Sequence, residues 1–285
     1  MGRNHDHDHN HALTVGRSTS ACTRNADLLA WYAQHGRSLP WRTTNDPYPV
    51  VVSEVMLQQT QVSRAIPRYE RWLARWPTEH DLAEATNTEV LRAWSGLGYN
   101  SRAIRLRDTA AIVSRDGWPT SPDGLRDLPG IGPYTANAVA SICFGWTVPA
   151  VDTNLRRVLT RWLGTILDGP ELDAYANRIV ATPAGDWNQA IMDLGATICL
   201  PSDPRCELCP VAGDCADPSI RPRVPAQSPF EGSHRQLRGA LVKAALDGTD
   251  PVEVGISLGR SPQEVRTAID TLHSEGLIVE DHLPV

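Results

Sequence analysis

Cys199, Cys206, Cys209 and Cys215 follow the spacing C-x6-C-x2-C-x5-C, which packs four thiols into one short segment. The N-terminus is polar and His-rich rather than an apolar secretory signal, so disulfides are not the expected fate of these thiols. One metal centre is. Zinc and a [4Fe–4S] cluster both accept four cysteines. Zinc sites usually carry two short C-x-x-C knuckles, and only Cys206–Cys209 makes one here. The long first gap favours the larger cluster. Cys22 and Cys143 stand apart from this group and read as idle or buried thiols.

A second constellation is Leu128-Pro129-Gly130-Ile131-Gly132-Pro133-Tyr134-Thr135-Ala136. Gly130 and Gly132 permit a tight turn with exposed backbone N–H groups, and the turn opens onto a helix N-terminus. That arrangement holds one phosphate. It is the pattern of a helix-hairpin-helix, which grips the DNA backbone without reading sequence. Arg205 inside the cysteine segment then suits a structural cluster that shapes a loop facing DNA.

Two carboxylates stand out. Glu54 lies within Val50-Val51-Val52-Ser53-Glu54-Val55-Met56-Leu57. A carboxylate among such neighbours is costly to keep charged, so burial would make it a proton donor. The competing reading is a solvent-facing helix residue. Asp152, in Val151-Asp152-Thr153-Asn154, precedes a helical run and reads first as an N-cap.

The elements that must position these groups are helical. Apolar periodicity near 3.6 recurs from Leu28–Gln34 through Trp187–Ile198, with Gly, Pro, Asp and Thr at the joins. The expected fold class is all-α, about ten helices joined by short loops. The boundaries predicted are a disordered tail over 1–24 carrying His5, His7, His9 and His11, and a helical domain over 25–198 with its hairpin at 128–136. A metal loop at 199–215 follows, then a proline-rich linker at 216–233 and a small separate unit at 234–285. Helices near Arg238–Leu246 and Pro262–Ser274, with the apolar run Leu277–Val279, suggest a winged helix there. It would touch DNA or dock on the main domain, and docking is favoured.

The net charge of −6 argues weakly against holding DNA by bulk charge. Distribution outweighs the sum: arginines crowd at 64–75, 102–107 and 156–161, away from the acidic stretch 247–281. No apolar run approaches the roughly 18 residues that a membrane span needs. Cytoplasmic, nucleoid-associated residence and a monomeric state are expected.

Ser53-Glu54-Val55-Met56-Leu57-Gln58-Gln59-Thr60-Gln61-Val62 closely resembles the catalytic segment of the MutY-type adenine DNA glycosylases. The hairpin, Val151–Asn154, the segment Trp187–Ala196 and the four-cysteine loop resemble their counterparts in the wider helix-hairpin-helix glycosylase superfamily, in the same order. The resemblance implies two helical subdomains with the active site in the cleft between them. It also moves the metal assignment to a [4Fe–4S] cluster.

Carried over position by position, it gives the residues roles in removing a base extruded from mispaired double-stranded DNA. Glu54 would protonate the departing purine at N7 and position water. Asp152 would stabilise the cationic sugar, with Tyr134 supporting the pair and Asn154 orienting the groups. Gln59 and Tyr99 would wedge into the vacated stack, with Gln58 and Thr60 beside them and Leu97 near the opposite base. Arg42 would line the base pocket, and Gly130 and Gly132 would hold phosphate.

Bifunctional members of this superfamily use a lysine after the hairpin to form an imine and nick the strand. Tyr134 occupies that position, and among 27 basic residues only Lys243 is a lysine. A monofunctional enzyme that leaves an abasic site is expected. Two departures bear on the partner base. About 70 residues follow the cluster, too few for a linker plus the Nudix-like domain that reads 8-oxoguanine. Thr153 also replaces a frequent glycine. Adenine opposite 8-oxoguanine or guanine is the first expectation. A thymine or uracil glycosylase acting on T·G or U·G is the second, and a non-catalytic iron–sulfur DNA-binding protein the third.

Overall fold

The computed structural model describes residues 15–223 and 227–278. The four N-terminal histidines lie outside that range. All regular structure among the described residues is helical. In order, the helices are α1 (Val15–His35), α2 (Pro47–Leu57), α3 (Val62–Arg75), α4 (Glu79–Ala83), α5 (Asn87–Trp94), α6 (Ser101–Asp116) and α7 (Pro122–Arg126). They continue with α8 (Pro133–Cys143), α9 (Thr153–Leu163), α10 (Gly169–Ile179), α11 (Ala184–Thr197), α12 (His234–Asp247), α13 (Pro251–Ser257) and α14 (Pro262–Ser274). α1 begins ten residues before the expected end of the tail, so residues 15–24 are helical.

Local chemistry sets many of the boundaries. α2 starts with Pro47 in its first turn, behind Asp46, whose carboxylate accepts from the Tyr48 N–H. Reciprocal capping boxes open α4 (Thr78 with Asp81), α5 (Thr86 with Glu89) and α14 (Ser261 with Glu264). Each satisfies two N–H groups that a helix start leaves without partners.

The chain folds into two compact units. One combines residues up to Ser38 with Phe144–Val224; the other combines Leu39–Cys143 with the segment from Pro225 onward. In the first, Leu28 of α1 packs with Leu155, Leu159 and Trp162 of α9 and with Trp187, Ile191 and Leu194 of α11. In the second, α2 lies against α3 and α8, α4 against α6, and α7 against α8. Its interior is aromatic: Trp72 meets Trp76 and Trp94 edge-on, and Trp41 meets Tyr69 the same way.

The C-terminal segment holds three helices where the sequence reading gave two, because a capped turn at Asp250–Pro251 starts the short α13. It also shares a core with the second unit: Leu237, Leu241, Val265 and Leu272 bury themselves with Leu91 of α5 and Ile104 of α6. Leu277 and Ile278 are buried there without forming a strand. Val279 and the remainder of the expected wing fall outside the described residues.

Candidate active site and cysteine loop

In the first unit, Asp152 is the N-cap of α9, and its Oδ1 accepts from the Leu155 N–H at 2.7 Å. Capping uses one oxygen. Oδ2 accepts from Asn154 Nδ2 at 2.8 Å. Burial pushes the carboxyl up from its ordinary value, while these donors and the Arg157 guanidinium pull the other way.

Asn154 is held in turn. Arg157 Nη2 donates to Asn154 Oδ1 at 2.9 Å and to the Gly195 carbonyl at 2.7 Å, and its Nε donates to the Cys199 carbonyl at 2.8 Å. α11 approaches so closely that a Cβ on Gly195 would lie 2.7 Å from the Asn154 Cβ. A continuous chain of hydrogen bonds thus runs from Asp152 to the start of the cysteine loop.

Arg161, one turn further along α9, is 1% exposed. Its guanidinium donates to Cys199 Sγ (3.1 Å) and to the carbonyls of Leu200 (2.8 Å), Pro201 (3.1 Å) and Ile220 (3.0 Å). Cys199, Cys206, Cys209 and Cys215 line one cavity of about 70 Å³, walled by Trp162, Leu194 and Ile198. Among the described residues, no three Cys, His, Asp or Glu side chains come close enough to share a single ion. The thiols surround a space rather than a point.

The second unit carries Glu54. It lies in the last turns of α2, 7% exposed, between the equally buried Ser53 and Val55. The helix-surface reading therefore fails: no solvent-facing stripe exists from Val50 to Met56. Cys143, at the end of α8, is pushed up to about 12 by burial, with Asp46 and Glu54 adding repulsion. It is a poor nucleophile, in keeping with an idle thiol.

Beyond α2, Gln58-Gln59-Thr60 turns sharply, and the Thr60 N–H returns to the Leu57 carbonyl at 3.2 Å. Gln59 (φ +57°) and Tyr99 (φ +49°) are the two non-glycine residues with left-handed backbone among those described. Both are exposed, Tyr99 by 42%. An unfavourable backbone retained at an exposed position points to function.

Arg102 ties their two loops together. Its Nη1 donates to the carbonyls of Val55 (2.7 Å) and Gln58 (2.6 Å), and its Nη2 to those of Leu97 (3.2 Å) and Gly98 (3.0 Å). The guanidinium also lies over the rings of Trp94 and Tyr99. Leu97 is buried in the same turn.

The hairpin joins α7 to α8. Gly130 takes φ +78°, and a Cβ there would meet Arg105 Cβ at 3.0 Å, so the turn requires glycine. The flank at Gly132 is open, with nothing within 4 Å of an added Cβ. Thr109 of α6 anchors the turn through a 2.9 Å bond to the Pro129 carbonyl. Tyr134 is half-buried in the first turn of α8, and Arg42 half-buried at the end of the 3-10 turn Pro40–Arg42.

The structure thus brings together Gln58, Gln59, Thr60, Leu97 and Tyr99 in one place, Asp152 and Asn154 in another, and the four cysteines in a third. Glu54 belongs to the second unit and Asp152 to the first. Sequence reasoning missed Arg102, Arg157 and Arg161 as positioning residues. It registered them only as members of charge clusters, and their one sequence signal, burial-compatible helical phase, is shared by many surface arginines.

Residues 52–176 match the family model described as "HhH-GPD superfamily base excision DNA repair protein". The chain is 40% identical over 271 residues to an adenine DNA glycosylase of Mycolicibacterium smegmatis, covering 88% of this chain and 91% of that one. It is 45% identical over 208 residues to the adenine DNA glycosylase of Homo sapiens, covering 66% of this chain and 38% of the human protein. Among solved structures, a thermostable thymine-DNA glycosylase superposes with TM-score 0.66 at 28% identity, over 70% of this chain and 97% of that one. An endonuclease III trapped on DNA shares the fold, with TM-score 0.60 at 22% identity. The chain belongs to the adenine DNA glycosylases of the HhH-GPD superfamily.

Proposed function

We propose that the protein is a monofunctional glycosylase that extrudes adenine mispaired with 8-oxoguanine or guanine and hydrolyses its N-glycosidic bond, leaving an abasic site. The observation that carries this reading is the state of the two carboxylates. Glu54 is buried in an apolar helix, and Asp152 is fixed by a cap and an amide. Glu54 donates a proton to adenine N7 as the bond from C1′ to N9 breaks, and the bonding pair leaves with the base. Asp152 stabilises the cation left on the sugar. Water then adds at C1′ and its proton returns to Glu54. At an effective dielectric of ~20, an ion pair at ~4 Å gives roughly 4 kcal/mol, about three powers of ten in rate.

Gln59 and Tyr99 enter the stack in place of the base, and Arg102 holds them. The hairpin at Gly130–Gly132 grips a phosphate beside the lesion. Tyr134 stands where bifunctional relatives carry a lysine, so no imine forms and the strand stays intact. Arg42 lines the pocket for the extruded base.

The cysteine loop suits a [4Fe–4S] cluster. Four thiols around a space fit a cubane better than one tetrahedral ion, and an Arg161 N–H reaches Cys199 Sγ at 3.1 Å. Cys199, Cys206, Cys209 and Cys215 would hold the cluster, which would cross-link the loop; Arg157 and Arg161 tie the loop to α9.

A panel of mispaired duplexes scored for released base tests the function. Adenine release from A·8-oxoG or A·G is expected, and Glu54→Gln and Asp152→Asn should each lower the single-turnover rate by at least about a thousandfold. Thymine release from T·G without adenine release would instead support a thymine glycosylase, the activity named for the structural neighbour at 28% identity. An alkali-independent nick that borohydride traps would contradict the monofunctional assignment.

A further inference from the structure

We propose that Gln227 and Arg235, from the C-terminal segment, read the base opposite the extruded adenine and select a guanine-type purine there. The inference rests on the reading of Gln59 and Tyr99 as the DNA wedge. It begins with side-chain tips. Gln227 Nε2 donates to Gln59 Oε1 at 2.6 Å and reaches the Tyr99 hydroxyl at 3.5 Å. Arg235 Nη1 donates to the Tyr99 hydroxyl at 3.2 Å and to Gln227 Oε1 at 3.0 Å, while its Nη2 holds the Ser228 carbonyl at 2.7 Å. An amide and a guanidinium therefore sit at the ends of the two side chains that enter the stack.

These contacts are not what attaches the segment. α12 and α14 are seated by Leu237, Leu241, Val265 and Leu272 against Leu91 and Ile104. Gln227 is exposed and Arg235 half-buried, so the polar tips contribute little to stability. Among the described residues, Arg235 donates to neutral acceptors: a phenol, an amide and a backbone carbonyl. Its charge is free to meet an electronegative edge.

The chemistry selects the ligand. A guanidinium fork matches the O6 and N7 acceptors of guanine, whereas cytosine presents an amino donor at the corresponding edge. An amide both donates and accepts, so Gln227 can follow the change at N7 when guanine carries an 8-oxo group, since N7 then becomes a donor. Positioned by the wedge, the pair meets the orphaned partner base rather than a phosphate.

The test measures single-turnover adenine release from the full-length holoprotein opposite 8-oxoguanine, guanine and cytosine. The readout is the ratio of the rate opposite guanine to that opposite cytosine. Arg235→Met and Gln227→Leu are each expected to lower that ratio about tenfold, the size of one lost base-edge contact. Arg235→Lys keeps the charge, loses the fork, and should lower it as well. Equal losses opposite every partner would make Arg235 a phosphate holder and overturn the proposal. Faster release opposite every partner would make the contact a latch over the wedge and overturn it too. The underlying wedge reading is scored separately by 2-aminopurine fluorescence. If Tyr99→Ala leaves extrusion intact, the wedge reading fails; if extrusion is lost while the Arg235→Met ratio stays at the wild-type value, only the reader fails.

Discussion

The two units hold their functional side chains by opposite means. Around Asp152 the means is polar: two buried arginines link α9 to α11 and to the cysteine loop, and the carboxylate sits at the end of that chain. Glu54 lies instead in a helix whose residues Val50–Met56 are all buried, in a unit where tryptophans meet edge-on. In the second unit Arg102 pins the loops that carry the left-handed residues. A charged hydrogen-bond chain fixes an orientation. An apolar wall fixes an environment. One acid needs the first and the other needs the second.

Deleting the largest support in each unit should break this contrast most visibly. Trp72→Ala removes a ring that is 2% exposed and should cost about 3–5 kcal/mol, read by urea unfolding, with iron content per folded molecule unchanged. Arg161→Met should cost about 3 kcal/mol, because four acceptors lose a charged donor. Its distinguishing sign is loss of iron and of visible absorbance, which Trp72→Ala should leave alone. If both variants lose iron in proportion to stability, the two units do not differ as described.

Arg102→Ala should weaken extrusion about tenfold while changing global stability less than Arg161→Met does, since Arg102 is half-buried whereas Arg161 is 1% exposed. Stopped-flow 2-aminopurine fluorescence would show it. Gln59→Gly is the smallest change. Relief of a left-handed backbone offsets the flexibility of glycine, so stability should stay within about 1 kcal/mol of the parent, yet base extrusion should fall.

Asp152 supplies a pH test. Its carboxyl is raised in the folded state, so the folded protein binds the proton more tightly than the unfolded chain does. Wild-type stability relative to Asp152→Asn should therefore be constant below the ordinary carboxylate value of 3.8, fall as pH rises from there through the raised value, and level off above it. Thermal unfolding of the pair between acid and neutral pH measures it. A gap that is constant with pH would mean that Asp152 pays no burial cost.

Much of the site was legible because its signals are local. The Gly-Ile-Gly hairpin, the cysteine spacing and the Asp152 cap each depend on a few consecutive residues whose backbone geometry they dictate. The Glu54 segment was legible through its resemblance, whereas its burial was ambiguous: an all-apolar run fits a helix enclosed on every side as well as one with a single polar tooth. The fold class followed from periodicity. Two element readings show where local signals run out. A short apolar run such as Leu277–Ile278 has no period of its own, and these two residues are buried against the C-terminal helices without strand structure. The polar composition of 15–24 resembles an unstructured start, yet these residues form the first turns of α1.

The sequence by itself determined the helices, the turn that needs glycine, the four thiols and the identities of both acids. These are choices of backbone angle and side-chain chemistry, made within a few bonds. Tertiary structure alone decided that Arg157 and Arg161 point inward to the cysteine loop, that Arg102 gathers carbonyls from two loops, and that Gln227 and Arg235 reach Gln59 and Tyr99 across more than a hundred residues of chain. An arginine's long stem serves a surface or an interior equally well until the partners arrive, and only the folded backbone brings those carbonyls within reach.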